Sequence, residues 1–505
     1  MKHWKLAGST AAIALFAGSG AFAEITPEEV WQNWQDLSAS YGQTVTAESA
    51  ERDGDTLVVT GLSMAMEQDG MSMEGWIDEV SFTDLGDGTV EITMSDTYSI
   101  TMTAAAIEGV EGSTASEMAI TITQADMSTI ASGTAAETSY EIDAPLLAVT
   151  FSGGKEGADA DGSATATLTG MTASYTVAGA EGAKTLDSEF AAASLALVMD
   201  VNDPTTATVV KVSATIADLA GASTGTYLGM EAMADMAAAL KAGFTTEATF
   251  TFGATSFAFD VTEAGSPTRI AGTMTGGDFA VAVGAAEFLY GTSTKGVNLT
   301  ISSAEIPFPE LKLSYAEAAF KLAMPLMKTD APANFAFLTK LVDLSVSKEI
   351  WDMIDPTAAL PHDPATVIID TKGTATLTSD LVDPAQMAML GEGAPGVINS
   401  LELTELRATI AGAELTGTGS FTFDNSDMTT FDGVPAPTGK IDLKLVGANT
   451  LADKLVGMGL LTEDMANQGR MMASMFANTS DSVDEMTSTL EFKDKGFFAN
   501  GMQMK

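Results

Sequence analysis

The chain has 505 residues, a formal net charge of −45 and no cysteine. Such an acidic surface repels nucleic acid and anionic lipid head groups, so nucleic acid is not an expected partner. The missing cysteines exclude disulfides, thiolate metal sites and cysteine nucleophiles, and the 2 histidines leave little scope for imidazole-based sites.

The N-terminus has the features of an export signal. A basic start, Met1 to Lys5, precedes the uncharged apolar stretch Leu6 to Phe16, and Ala21-Phe22-Ala23 fits a cleavage site. We therefore predict a signal peptide at residues 1–23, cleaved after Ala23, and a periplasmic location. No later segment has the uncharged length of a membrane helix, so the chain is not expected to span a membrane.

The segment after the signal predicts a helix. Thr26 is placed as the N-cap, Pro27 occupies the first helical position, and Glu29 completes a capping box. One apolar stripe follows, formed by Val30, Trp31, Trp34 and Leu37.

Four methionines then lie within "SMAMEQDGMSM". We predict a hairpin in which Met66 pairs with Met71 and Met64 with Met73, so that all four thioethers share one face. Thioethers can bind Cu(I), but the 29 methionines of the chain are spread over strands and helices alike. We interpret Met64, Met66, Met71 and Met73 as candidate apolar lining for a ligand, and we expect no metal and no cofactor.

Most of the remaining chain alternates apolar and polar residues with a period of two. In "EVSFTDLGDGTVEITM", Val80 and Phe82 precede an Asp87-Gly88 turn and Ile92 follows it, which is a strong hairpin signal. Similar runs recur to the C-terminus, separated by Gly-, Asp-, Ser- and Thr-rich turns. The pattern favours an antiparallel meander.

Helical patterns interrupt the strands. "LGMEAMADMAAALKAGF" predicts a helix with Met233, Met236 and Leu240 on one face, ending before Gly243. A second helical zone is predicted near 331–355, covering "APANFAFLTKLVD" and "SKEIWDMIDP". A third, near 450–477, is predicted as two helices broken near Gly457 and Gly459.

The expected fold class is mainly β (α+β). We predict a long, curved, mostly antiparallel meandering sheet, with a few amphipathic helices packed on one face or capping an end. The predicted organisation is the signal peptide at 1–23, a β-rich subdomain with a leading helix at 24–241, and a second β-rich subdomain at 242–505.

The sequence around Trp351 resembles a known family. "WDMIDPTAALPHDPATVIIDTKGTA" and the later "GSFTFDNSDMTTFDGVPAPTGKIDLKLVGANTLADKLVGMGLL" are similar to the domain of unknown function 2125 family of exported Gram-negative bacterial proteins. The resemblance is clearest from Trp351 to the C-terminus, and the "VWQNW" helix and Met-rich hairpin after Glu24 also fit it. It implies an envelope location and a β-rich fold, and no catalytic residues. The strand rhythm also resembles envelope proteins with long lipid-handling β-grooves.

A catalytic alternative rests on "GASTG", which matches the nucleophile elbow G-x-S-x-G. Ser223, then Asp343, Asp352 or Asp355, then His362 follow the chain order of an α/β-hydrolase. The helix that must follow the elbow at once is missing from the pattern, as is βαβ alternation. We therefore expect no catalytic residues and a non-enzymatic protein.

The leading functional hypothesis is a periplasmic protein that binds a lipid or another apolar ligand along a β-sheet groove. The alternatives are a serine hydrolase using Ser223 and His362, and a structural or interaction protein of the cell envelope that binds an envelope protein partner and no ligand.

Overall fold

A computed structural model gives the fold of residues 25–40, 42–68, 71–104, 116–155, 161–180, 183–203, 206–391, 393–479 and 484–505. The predicted signal peptide, residues 1–23, lies outside this described part.

The described chain forms seven helices and a sheet of 27 strands, in which every pairing is antiparallel. The helices are α1 (Pro27–Ser40), α2 (Met230–Met233), α3 (Met236–Lys241), α4 (Lys348–Ile354), α5 (Pro384–Leu390), α6 (Ala448–Gly457) and α7 (Glu463–Phe476). The strands up to residue 155 are β1 (Thr44–Thr46), β2 (Ser49–Asp53), β3 (Thr56–Gln68), β4 (Met71–Asp84), β5 (Val90–Met94), β6 (Thr97–Ala104), β7 (Ser116–Thr123), β8 (Ser128–Thr134) and β9 (Glu137–Lys155). The next are β10 (Asp161–Ala180), β11 (Ala183–Asp203), β12 (Thr208–Tyr227), β13 (Thr245–Phe252), β14 (Thr255–Glu263), β15 (Ser266–Met274), β16 (Gly276–Val283), β17 (Phe288–Ser303), β18 (Leu311–Met324) and β19 (Ala333–Val346). The last are β20 (Ala365–Leu377), β21 (Gly396–Ile410), β22 (Ala413–Asp424), β23 (Ala436–Val446), β24 (Asn478–Thr479), β25 (Glu485–Lys493), β26 (Gly496–Ala499) and β27 (Met502–Gln503).

The predicted long antiparallel meander is confirmed. Long strands pair with their neighbours along the chain, and at several places a long strand pairs instead with two short strands placed end to end; two of these places lie inside the sheet. β4 pairs with β5 and β6, which continue into β8 and β7, and both of these pair with β9. β12 pairs in the same way with β13 and β14, which lead through β16 and β15 to β17.

The split strands divide the sheet lengthwise into two panels. Panel 1 contains β5, β8, β13 and β16 with the halves of the long strands that pair with them. Panel 2 contains β6, β7, β14 and β15 with the other halves. From β20 onwards the sheet continues from panel 1 alone. β20 pairs with residues 333–341 of β19, which belong to panel 1, and pairs with the panel 2 half of β19 only at Leu344.

A line of left-handed residues marks the boundary between the panels. Gly61, Gly170, Asp218, Gly296 and Asp343 lie inside strands with φ of 61°, 59°, 52°, 59° and 55°. Strand register places Gly170 opposite Ala193, which lies opposite Asp218, and places Gly296 opposite Ala316, which lies opposite Asp343. We call this line the crease.

The long strands that cross the crease change the phase of their alternation there, and an irregular residue of this kind bends a strand. In β12 the inward positions are Ala214 and Ile216 before Asp218, and Leu219 and Gly221 after it. The left-handed residue interrupts the pleat, so one extra step separates the two inward sets.

The bend creates an inner and an outer face. At the crease the inner residues Ala144, Met171, Ala192 and Leu219 are buried, each with at most 8% of its surface exposed. The residues opposite them on the outer side, including Ala193 and Asp218, are exposed. The sheet is therefore a trough, concave on its inner face.

Helix α1 packs into the N-terminal end of the trough, on panel 1. The predicted capping box is present, since Thr26 N donates to Glu29 Oε2 (2.9 Å) and Glu29 N donates to Thr26 Oγ1 (3.3 Å). Trp34 meets Phe82 edge-on with ring centroids 5.3 Å apart. The main core forms here, around Val30, Val59, Val80, Phe82, Val90, Ile92 and Tyr140.

Two helix predictions need correction. Residues 333–346 form β19, so the prediction of helix over "APANFAFLTKLVD" is wrong, although α4 follows as predicted. Helix-forming composition was outweighed there by period-two alternation and by pairing with β18 and β20. The predicted helix at 228–244 is two short helices, because Asp235 caps α3 by accepting from Ala238 N (3.0 Å). Its predicted face is broken too, since Leu240 is buried and Met236 is exposed.

The two-part helix near 450–477 is confirmed as α6 and α7. The sheet also runs on past residue 241, because β12 pairs with both β13 and β14. The division into subdomains at 24–241 and 242–505 stays a prediction.

Candidate functional site: the inner face of the trough

The inner face of the trough is almost free of charge. Strand register assigns the inner positions, and from β9 to β25 the described inner positions of panel 1 carry one charged side chain, Lys184. The described inner positions of panel 2 are charged only at strand tips. In a chain with 91 charged residues, 23 basic and 68 acidic, this is a strict segregation.

The outer face carries the charges and pairs them across strands. The pairs include Lys340–Glu317 (2.6 Å), Lys372–Glu402 (3.2 Å), Lys444–Glu485 (2.9 Å) and Arg269–Asp260 (2.8 Å). Clefts of about 420 and 440 Å³ on this face are lined mainly by serine, threonine and charged side chains. Their lining does not suit an apolar ligand.

An aromatic row runs along the inner face of panel 1. Phe279, Tyr290, Phe320 and Phe337 belong to four successive strands. Their ring centroids are 5.5, 6.0 and 5.8 Å apart in that order. Such edge contacts stabilise the row, yet Tyr290 and Phe320 each remain 36% exposed. Large apolar rings on the concave face are therefore accessible.

Neither buried cluster of the described residues fills the trough, because one lies under α1 and the other follows the crease.

The methionine quartet lies on the inner face of panel 2, but with a different pairing. Met66 pairs with Met73 and Gln68 with Met71, so the predicted pairs Met66–Met71 and Met64–Met73 are wrong. β3 ends at Gln68 and β4 begins at Met71, and residues 69–70 lie outside the described part. Since the register differs by two residues, all four methionines still share one face.

Sequence reasoning missed the continuation of this row. Met73 pairs with Met102, and Met102 pairs with Met118, so that methionines stand side by side on four adjacent strands. Met71 is 54% and Met118 36% exposed. The role of Met64, Met66, Met71 and Met73 as ligand lining stays a prediction.

Of the residues of the hydrolase alternative, His362 and Asp355 come together, but Ser223 lies far from both. Ser223 lies on β12 and shares a hydrogen bond with Ser188 (2.7 Å). His362 follows α4, which itself follows β19 in the chain. β19 lies five strand spacings, or roughly 24 Å, from β12 along the sheet. Ser223 lies inside β12, which runs on to Tyr227, and the next helix, α2, begins only at Met230, so no helix follows the elbow at once.

His362 and Asp355 have a structural role. His362 Nε2 is 3.5 Å from Asp355 Oδ2, and the imidazole stacks on Trp351 with centroids 4.2 Å apart. Asp355 accepts hydrogen bonds from Ala359 N (3.0 Å) and Leu360 N (2.7 Å). Burial opposes ionisation of Asp355, but these bonds hold its pKa below the ordinary value. The group fixes the loop after α4.

One ion pair between an exposed lysine and a buried carboxylate fastens the rim of panel 1. Lys241 at the end of α3 contacts Asp380 Oδ2 (2.8 Å), beyond the end of β20, and Asp380 also accepts from Lys328 N (2.8 Å). The side chain of Asp380 is only 7% exposed. Its pKa is lowered to about 2, first by the bond from Lys241 and then by that from Lys328.

These features define a trough-shaped antiparallel β-sheet protein with an uncharged concave face. Residues 297–500 match the family model described as "Uncharacterized protein conserved in bacteria (DUF2125)", which confirms the resemblance over that region. The matched region begins in β17, next to the crease, and ends after β26. No curated protein and no solved structure matches the chain. Among the described residues, no helix combines the length and apolar character needed to cross a bilayer.

Proposed function

We propose that the protein is an exported, non-enzymatic binder of a lipid or another apolar ligand, which lies along the inner face of the trough. The observation that carries the proposal is the separation of charge between the two faces. An uncharged, partly exposed concave face of this extent is costly in water unless a ligand covers it.

The chemistry of the face supports an acyl chain. Methionine and phenylalanine side chains adapt to flexible apolar partners, and both line the trough. The periplasmic location rests on the signal-like segment at residues 1–23 and on the bacterial family match, and an acidic outer face suits a protein that must stay dispersed.

The first test is native mass spectrometry of the protein purified from its own cell envelope, followed by organic extraction. We expect a co-purifying lipid. A clean apo mass, together with no binding of added acyl chains, would instead support the envelope interaction protein.

A paired substitution tests the location of the ligand. Phe320→Glu places a negative charge in the aromatic row of the inner face. Lys321→Glu, at the neighbouring residue on the outer face, is the larger change in charge, from positive to negative. We expect Phe320→Glu to lower the amount of a bound fluorescent fatty acid severalfold, and Lys321→Glu to leave it within twofold, provided that circular dichroism shows both to be folded. Equal losses in the two variants would count against the inner face.

A further inference from the structure

Lys184 is the charged exception on the inner face of panel 1. It lies on β11, between Gly179 of β10 and Tyr227 of β12 in register, and its side chain is half-buried. Within the described part of the chain, Lys184 makes no ion pair. Lys184 therefore places a positive charge without a counter-charge on an otherwise uncharged face, where an anion from outside the chain can pair with it.

The space around Lys184 is a cavity of about 450 Å³ at the end of the trough that α1 closes. Helix α1 contributes Asn33 and Asp36 to its wall, and the sheet contributes Tyr140, Val177, Lys184 and Tyr227. This volume falls within the range of small-molecule sites, roughly 300–1,000 Å³. Polar groups of α1 and the sheet thus surround one cation at the closed end.

The cavity opens onto an uncharged, mostly apolar path. Inward positions on β11 continue from Lys184 through Leu186 and Ser188 to Phe190, and register places Gly221 of β12 and then Phe250 of β13 beside Phe190. A molecule with its polar end at Lys184 can therefore lay an apolar tail along uncharged side chains. The arrangement is polar at one end and apolar beyond it, as an amphiphile is.

We propose that Lys184 binds the anionic head group of an amphiphile whose acyl tail occupies the trough. This rests on the proposed function and names the class of its ligand. The negative group is a carboxylate, as in a fatty acid, or a phosphate, as in a phospholipid. The acidic outer face repels such a group, so it can bind only where a cation stands on the uncharged inner face. Asp36, in the same cavity, accepts a hydrogen bond from Gln32 Nε2 (2.8 Å) and forms no ion pair with Lys184 in the described part of the chain.

The test uses four probes with one tail and different heads: dodecanoate, dodecyl phosphate, dodecanol and dodecyltrimethylammonium. Titration calorimetry of the purified protein, below the micellar range of each probe, gives the affinities. Lys184→Met removes the charge and keeps an apolar stem, Lys184→Arg keeps the charge, and Lys321→Met removes an exposed lysine from the outer face.

We expect Lys184→Met to weaken at least one anionic probe about five- to twentyfold, the range of a charge-assisted hydrogen bond at a half-buried site. Dodecanol should stay within twofold, Lys184→Arg should restore most of the loss, and Lys321→Met should change nothing. Whether dodecanoate or dodecyl phosphate shows the larger loss identifies the carboxylate or the phosphate as the head group.

Two results would overturn the inference. An equal loss of dodecanol and the anions would mean that Lys184 only extends its stem along the trough, and unchanged affinities would mean that no head group reaches it. Neither result would argue against the apolar trough as a binding face. If the unmodified protein binds none of the four probes, the proposed function itself fails.

Discussion

Single residues hold the rim of the trough through charge. Asp380 accepts bonds from Lys241 and from Lys328 N, and its pKa is lowered to about 2 from the ordinary 3.8. Because the ionised form is the one that is stabilised in the fold, this contribution is present above the ordinary pKa. It is lost as the pH falls from about 4 towards 2.

Asp380→Asn is therefore expected to lower the free energy of unfolding by about 1–3 kcal/mol at pH 7, the cost of losing a charged hydrogen bond from a buried site. The difference from the unmodified protein should shrink as the pH approaches 2.5. Urea unfolding followed by circular dichroism at pH 7, 4 and 2.5 measures it. A cost that is the same at all three pH values would show that charge is not what stabilises the contact.

Asp260→Asn is the matched control. Asp260 pairs with Arg269 at the same distance of 2.8 Å, but the two side chains are 39% and 54% exposed. An exposed pair contributes little, so we expect a change below about 1 kcal/mol.

At the scale of the elements, the crease gives the sheet its trough shape. Gly170 has a φ of 59°, and a Cβ built there would meet only Ala193 Cβ at 3.4 Å. A side chain at this position is therefore limited by the left-handed backbone conformation and not by lack of space. β-branched residues adopt that conformation least readily.

Gly170→Val should lower the free energy of unfolding by about 1–3 kcal/mol, since it either strains the left-handed backbone or straightens the strand. Ala191→Val adds the same side chain to an exposed position of ordinary backbone conformation on β11, and we expect a change within about 0.5 kcal/mol. Denaturant unfolding compares the two. If both variants were equally stable, the crease would not depend on left-handed residues.

Much of this architecture is readable from local sequence. The capping box at Thr26 and Glu29, and the Asp87-Gly88 hairpin that pairs Phe82 with Ile92, depend on neighbours in the chain and were predicted correctly. The register of the methionine hairpin was wrong by two residues, because the alternation fixes the face and leaves the turn length open.

The crease and the site were harder to predict. A signal exists in "TIADLAG", where Ile216 and Leu219 are three residues apart and so break the period of two. Its meaning depends on Ala193 and Gly253 lying beside Asp218, and such alignment comes from pairing between distant segments. The same holds for Lys184, whose isolation on an uncharged face becomes visible only once the strands are in register.

At the scale of the whole molecule, the length of the inner face sets how many acyl chains the proposed function allows. At about 4.8 Å per strand, the path across the sheet from β4 to β25 is roughly 80 Å. One leaflet of a bilayer offers an acyl chain about 15 Å of hydrocarbon depth, half of the usual core. A trough of this length has room for several acyl chains one after another along its length.

We therefore expect the protein to bind more than one acyl chain per molecule, and native mass spectrometry during titration with dodecanoate counts them. Phe320→Glu interrupts panel 1 and Phe257→Glu interrupts panel 2, so each should lower the maximum number bound without abolishing binding, and the double variant should lower it further. A single bound chain that either substitution removes would place the ligand in one local pocket instead. In that case the uncharged face beyond the pocket would be a surface for a protein partner.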